Sequence, residues 1–291
     1  MQTVSEIFDT KDLPVSFEIF PPKGELTYEQ AYDVADGLAP LEPSFISVTC
    51  SAGGSGNSDS TGIVAQMIQD SFNTPAVAHV TCISKDPSSL ASTIEDLKER
   101  KVRTVLALRG DRPADEPFEN EPFYSHASDI IGPLVEEGFC VGAAAYPEGH
   151  IDNLNLRDDI DHLKEKQDAG ATFLVTQLFF MNDLLYRFSE VAEKSGVSIP
   201  ITCGIMPFLS KSQISRMVFM CGASLPSPII KLLARYEDDP ESLRQAGIEY
   251  ACEQLVDLAE HGVDGLHVYT MNQIPIAEAA MRSLRDVGLA V

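Results

Sequence analysis

Eight short apolar runs, each closing on polar or charged residues, recur along this chain at the interval of one strand plus one helix. They read VSFEIFPP at 15–22, FISVTCSA at 45–52, AVAHVTC at 76–82, RTVLALRGD at 103–111, CVGAAAYP at 140–147, TFLVTQLFF at 172–180, PITCGIMP at 200–207 and GLHVYTMN at 265–272. Eight β/α units can close into a barrel, and such barrels carry their chemistry at the strand C-termini. The ends of these runs hold Glu18, Thr49, His79, Asp111, Tyr146 and Gln177, the expected rim of a site. A doubly wound open sheet is the competing architecture, but it calls for a glycine-rich turn such as GxGxxG after the first strand. Here that strand runs into FPPKGE, so the expected fold class is α/β, a (β/α)8 barrel.

The segments between the runs carry helix signals. Asp86-Pro87 and Asp239-Pro240 each pair an N-cap with a proline at the first helical position. Gly138, Gly170, Gly196 and Gly262 stand where helices should stop before the next strand. The interval between the seventh and eighth runs is about twice the others, and holds the extra helical material SKSQISRMVFMCG and SPIIKLLARYED. This insertion is either a wall of the pocket or a surface decoration. Residues 51–62, SAGGSGNSDSTG, read as a flexible loop at the catalytic face.

At 291 residues and 44% hydrophobic content, the chain suits one α/β domain over 1–291. Eight units need roughly 250 residues, which leaves room for one insertion and short tails. No run of about 18 apolar residues occurs, and the acidic start MQTVSEIFDTKD lacks the features of a signal peptide, so a cytoplasmic protein without membrane association is expected. The net charge of −23, from 21 basic and 44 acidic residues, disfavours nucleic acid as a partner. It leaves room for a small phosphorylated cofactor held by a local pocket of donors. The six cysteines lie far apart with no CxxC pair and read as reduced, buried thiols. A zinc site from Cys50, Cys82 and His79 would need closer ligand spacing, so no metal is expected.

Several residues carry chemistry on their own. Glu18, flanked by Phe17, Ile19 and Phe20, would lose hydration and become suited to donating a proton, unless it points outward to a lysine. In Arg109-Gly110-Asp111, glycine permits close backbone approach, arginine offers a forked donor and aspartate accepts hydrogen bonds; a tight capped turn is the plainer reading. Tyr146 could flank a planar ring and His150 could meet a phosphate. Asp159, His162 and Lys166 share one face of the next helix, which a solvated surface would also explain. His79 is a core histidine or a ligand. Gln177 is a structural amide or a hydrogen-bond partner for a heterocycle.

In their order, VSFEIFPP, FISVTCSA, AHVTC, ALRGD, AAYPEGH, TQLFF, GIMP and HVYTMN resemble the methylenetetrahydrofolate reductases, over roughly 15–272. The resemblance is to the stand-alone bacterial catalytic form. It implies an FAD-containing barrel that reduces 5,10-methylenetetrahydrofolate to 5-methyltetrahydrofolate, with Glu18 as general acid and Asp111 as an ionised partner beside flavin and pterin. It assigns Thr49, Ala52, His79, Arg109, Gly110, Asp111, Ala127, Tyr146, His150, Asp159, His162 and Lys166 to FAD. Substrate contacts would come from Glu18, Thr49, Asp111, Gln177, Lys231 and Gln273. Gln177 would meet folate and reduced nicotinamide in turn on one flavin face, which implies ping-pong kinetics.

The chain departs from the bacterial pattern at Glu165 (a basic position), Cys50 (tyrosine), His162 (asparagine), Lys231 (glutamine) and Gln273 (arginine). NADH, NADPH or a partner subunit could therefore supply the electrons, and a homo-oligomer is expected. The alternatives are a pterin-binding or electron-transfer subunit working only with a partner, and a flavin barrel of the proline-dehydrogenase type.

Overall fold

Alternation along each strand decides which side chains fill the interior and which meet the helices. The computed structural model describes residues 1–22, 26–50, 58–111, 122–153 and 155–289. Its strands are β1 (Val15–Ile19), β2 (Phe45–Val48), β3 (Ala76–Thr81), β4 (Thr104–Leu108), β5 (Cys140–Ala145), β6 (Phe173–Thr176), β7 (Ile201–Ile205) and β8 (Gly265–Tyr269). Each lies within one of the apolar runs. Neighbours pair in parallel and in chain order, and β8 pairs with β1 to close a barrel. In β1, Phe17 and Ile19 join the large core between sheet and helices, while Ser16 and Glu18 take the inner face.

The helices are α1 (Val4–Phe8), α2 (Tyr28–Leu38), α3 (Ser58–Phe72), α4 (Pro87–Glu99), α5 (Ser128–Glu136), α6 (Leu156–Asp168), α7 (Asn182–Lys194), α8 (Lys211–Cys221), α9 (Ser227–Arg235), α10 (Pro240–Glu260) and α11 (Ile274–Asp286). The two Asp-Pro starts cap α4 and α10, with Asp86 accepting from the Ser89 amide and Asp239 from the Ser242 amide. Gly138, Gly170, Gly196 and Gly262 all have positive φ just beyond a helix end. Among the described residues, no helix is long and apolar enough to cross a membrane.

One end of the barrel is sealed. Helix α1, held by a capping box between Thr3 and Glu6, places Val4 and Ile7 against Phe45, Val77, Leu106, Phe173 and Val175. This apolar plug fills the N-terminal end, where the Val4 amide also donates to the Thr104 hydroxyl at 3.4 Å, and the cleft opens at the C-terminal end. There α8 and α9 form a second core, in which Ile214 and Ile229 pack with Leu178, Phe180, Met206, Phe208 and Leu243. Helix α8 is therefore a wall of the cleft, which Met217 lines, and α9 packs in the core beside it.

The stretch after β2 differs from expectation. Residues 58–62 already belong to α3, because Val64, Ala65 and Ile68 give that segment a buried stripe. Thr61 also ties the helix to the strand end by donating to the Thr49 carbonyl at 2.9 Å.

Candidate active site

The strand C-termini surround a cleft of about 350 Å³. Glu18, Thr49, His79, Arg109, Gly110, Asp111, Tyr146, His150 and Gln177 all line it, so the ends of six different strands converge as the eight-run pattern predicts.

Glu18 sits deepest among the acids. Its register partners are Ser47 on β2 and Tyr269 on β8, and the Thr270 hydroxyl donates to its carbonyl at 2.6 Å. Its carboxylate Oε2 lies 3.6 Å from Nε2 of His79 and 3.6 Å from Nε2 of His267, both buried. Burial pushes the His79 pKa down to about 4; the Glu18 charge opposes this and His267 reinforces it. The His79 ring is therefore neutral at pH 7, and its Nε2 is buried without a hydrogen-bond partner among the described residues.

A second group forms the opposite rim. Gly110 adopts φ +83°, and a Cβ there would stand 3.0 Å from Cβ of Thr81. Arg109 pairs with Asp152 at 2.9 Å and donates from Nε to the Gly110 carbonyl. Asp111 is exposed at the mouth.

Tyr146 presents its ring edge-on to His150 at 4.8 Å, and burial pushes its phenol up to about 12. The His150 amide donates to Asp159, and its Nδ1 accepts from the Asp152 amide at 3.1 Å, so a neutral ring carries its proton on Nε2. Burial, then the charge of Arg109, lowers the His150 pKa.

Behind this rim, Lys166 donates to the Ala144 carbonyl at 2.8 Å and lies 5.7 Å from the Tyr146 ring centre. Burial lowers its pKa to about 8, against the opposing pull of Asp159 and Glu165. Asp159 is buried too, so this face of α6 is not simply solvated.

The other expected residues are placed differently. His162 is exposed and stacks on His126, and Ala127 is buried at the start of α5. Lys231 is exposed on α9 and does not line the cleft. Gln273 caps α11, its Oε1 held by the guanidinium of Arg244 at 2.5 Å. Ala52 lies outside the described residues. Cys82 belongs to the core outside the barrel, away from His79, and no group of His, Cys, Asp and Glu among the described residues is arranged to hold a metal ion.

Sequence reading missed His267, Tyr269 and a thioether wall of Met206, Met217 and Met271. A signal existed for the first two. In GLHVYTMN, His267 and Tyr269 stand two apart in a strand, hence on one face. The methionines could not be found that way, since they converge from the segment just after β7, from α8 and from the turn after β8.

A parallel eight-stranded barrel, plugged at its N-terminal end and open to a polar cleft at the other, defines the chain as a (β/α)8 barrel. The methylenetetrahydrofolate reductase family model matches residues 3–284, and the chain belongs to that family.

The chain is 32% identical over 271 residues to the 5,10-methylenetetrahydrofolate reductase of Escherichia coli strain K12, covering 93% of this chain and 90% of that one. It is 33% identical over 279 residues to methylenetetrahydrofolate reductase 1 of Schizosaccharomyces pombe and 31% identical over 288 to the NADH-type enzyme 1 of Arabidopsis thaliana. It spans about half the length of those two eukaryotic relatives, 46% and 48%. In fold it resembles a Clostridium thermocellum protein that binds two copies of 5-methyl-5,6,7,8-tetrahydrofolic acid, with TM-score 0.67 and 14% identity over 98% of this chain and 99% of that one.

Proposed function

We propose that this chain reduces 5,10-methylenetetrahydrofolate to 5-methyltetrahydrofolate, using FAD and with Glu18 as the general acid. What carries the reading is the placement of Glu18, a half-buried carboxyl between two buried imidazoles, opening on the cleft.

The residues present fit a flavin. Nε2 of His79, a cleft-lining residue, is a buried polar atom with no hydrogen-bond partner among the described residues, as expected where a bound group completes it. Gly110 keeps the rim open where a side chain would collide with Thr81. Thr49, His79, Arg109, Gly110, Tyr146 and His150 would hold the cofactor, with Asp159 and Lys166 bracing them from behind. Bound there, FAD supplies hydride transfer between an electron donor and the one-carbon unit.

Every other role falls to the chain. Glu18 gives its proton to a folate nitrogen, which opens the five-membered ring. Asp111, at the mouth, favours the positive charge that develops on the one-carbon unit. Gln177, whose Oε1 accepts from the Leu178 amide at 2.8 Å, is left with its amide NH2 to bind a heterocycle. Donor and folate use the same cleft in turn, so the kinetics are ping-pong. The donor is NADH, NADPH or a partner protein.

The test is optical. The purified chain, loaded with FAD, turns yellow, bleaches with a donor and regains colour with methylenetetrahydrofolate. A chain that takes up no FAD overturns the reading. One that bleaches with dithionite but is never re-oxidised by the folate points to an electron-transfer role instead.

A further inference from the structure

We infer that Asn272 is a positioning residue for the folate step: its side-chain amide continues the β1–β8 ladder past the end of both strands and holds Phe20, and through it Glu18, facing the cleft. This rests on Glu18 being the acid.

The parallel pairing of β1 with β8 runs from Val15 opposite Leu266 to Glu18 opposite Tyr269. Strand β8 ends at Tyr269 and β1 one residue beyond Glu18. Past that point the Phe20 amide is the last backbone donor before two residues that have none, Pro21 and Pro22. Asn272 takes up both backbone groups of Phe20. Its Oδ1 accepts from the Phe20 amide at 2.7 Å, and its Nδ2 donates to the Phe20 carbonyl at 3.2 Å. A side chain that bonds the N–H and the C=O of one residue fixes the peptide planes on either side, as a neighbouring strand would. The Thr270 hydroxyl donates to the Glu18 carbonyl at 2.6 Å, and the Thr49 amide to the Ile19 carbonyl at 3.1 Å, so 18–20 are held from both edges. Glu18 and Phe20 stand two apart in extended chain, and both line the cleft.

The reach to Phe20 strains the turn that makes it. The Gln273 amide closes this turn on the Thr270 carbonyl at 2.9 Å, and Met271 and Asn272 take φ 51° and 56°. Asparagine enters that region readily, whereas methionine does so at a cost. A glycine at 272 would relieve part of the strain, but would have no amide to offer.

Stability accounts poorly for the same contacts. Asn272 belongs to none of the apolar cores, and its two bonds to Phe20 are open to solvent, where a hydrogen bond adds little net. What they supply is direction, beside the residue whose alignment the proton transfer needs.

The experiment uses the flavin-loaded chain and Asn272→Gly, which keeps the turn and removes the amide. Re-oxidation by methylenetetrahydrofolate should fall about tenfold or more in kcat with little change in KM, because the acid is misaligned and the binding surface is kept. Donor-driven bleaching, which takes no proton from Glu18, should stay within about threefold, and the urea midpoint should stay close to wild type. In the wild-type chain the Phe20 amide should exchange with D2O about a hundredfold or more slower than in the unfolded chain, although it lies beyond the strand. Asn272→Gly should lose that protection.

An unchanged kcat in Asn272→Gly, or equal losses in bleaching and in folate turnover, overturns the inference. If the variant does not fold, exchange in the wild-type chain decides, and an unprotected Phe20 amide overturns it. Failure of the acid reading looks different: Glu18→Gln would keep its turnover while the Phe20 amide stays protected.

Discussion

A Cβ at Gly204 would stand 2.6 Å from the hydroxyl oxygen of Tyr269. The absent side chain is what lets the phenol cross from β8 to donate to the Thr176 carbonyl at 2.7 Å, closing the floor of the cleft over β7. The same Cβ would meet the Thr176 carbonyl oxygen at 2.3 Å. Gly204→Ala is therefore expected to destabilise the chain by about 1–3 kcal/mol, as overpacking does. Tyr269→Phe should cost about 1 kcal/mol, one hydrogen bond. Urea unfolding followed by circular dichroism checks both, and an alanine variant as stable as wild type would refute the contact.

Glu18→Gln keeps the shape of the side chain and removes its proton-donating power. The variant should still bind FAD and bleach with donor, yet lose about 100-fold or more in turnover with methylenetetrahydrofolate, the usual range for a general acid. Turnover within a few-fold of wild type would remove Glu18 from that role.

His79 should make the flavin-free chain acid-sensitive. The folded ring takes up its proton only near pH 4, whereas an unfolded histidine does so near 6.5, so between these values the unfolded state binds more protons. The contribution to stability is complete above pH 6.5 and is lost as pH falls towards 4, on the order of 3 kcal/mol at most. His150 is shifted in the same direction, so the comparison must be between wild type and His79→Gln. Unfolding free energy measured from pH 7 to 4 should fall less steeply in the variant. Parallel curves would contradict the buried neutral ring.

Gly110→Ala tests the second rim. At φ +83° an alanine carries about 1–2 kcal/mol of backbone strain, and its methyl would press on Thr81. Lower thermal stability together with weaker FAD uptake, measured by flavin fluorescence quenching, is the expected result. A loss of stability with undiminished FAD affinity would place the cofactor elsewhere.

Periodicity settled a good deal in advance. Val15, Phe45, Ala76 and their counterparts open strands because short apolar runs bounded by turn residues have few other ways to bury themselves. Asp86 and Asp239 open helices because an aspartate followed by proline supplies both the cap and the preset φ. Glu18 was legible as a candidate because a lone acid in an aromatic strand needs a reason to be there. The helical start of α3 was hidden, since the SDSTG at 58–62 reads as loop until Val64, Ala65 and Ile68 find a buried face, and 51–57 lie outside the described residues.

The amino-acid order by itself determined the eight parallel strands, the capped helices between them and the acids placed at strand ends, because these depend on local spacing and on which backbone angles each residue allows. Only the closed barrel decided which of those residues meet. It brought His267 of β8 and His79 of β3 to the same distance from Glu18 of β1, joined Arg244 to Gln273, and left Lys231 outside the cleft. Such meetings depend on register and curvature around the whole ring, to which residues far apart in the chain all contribute.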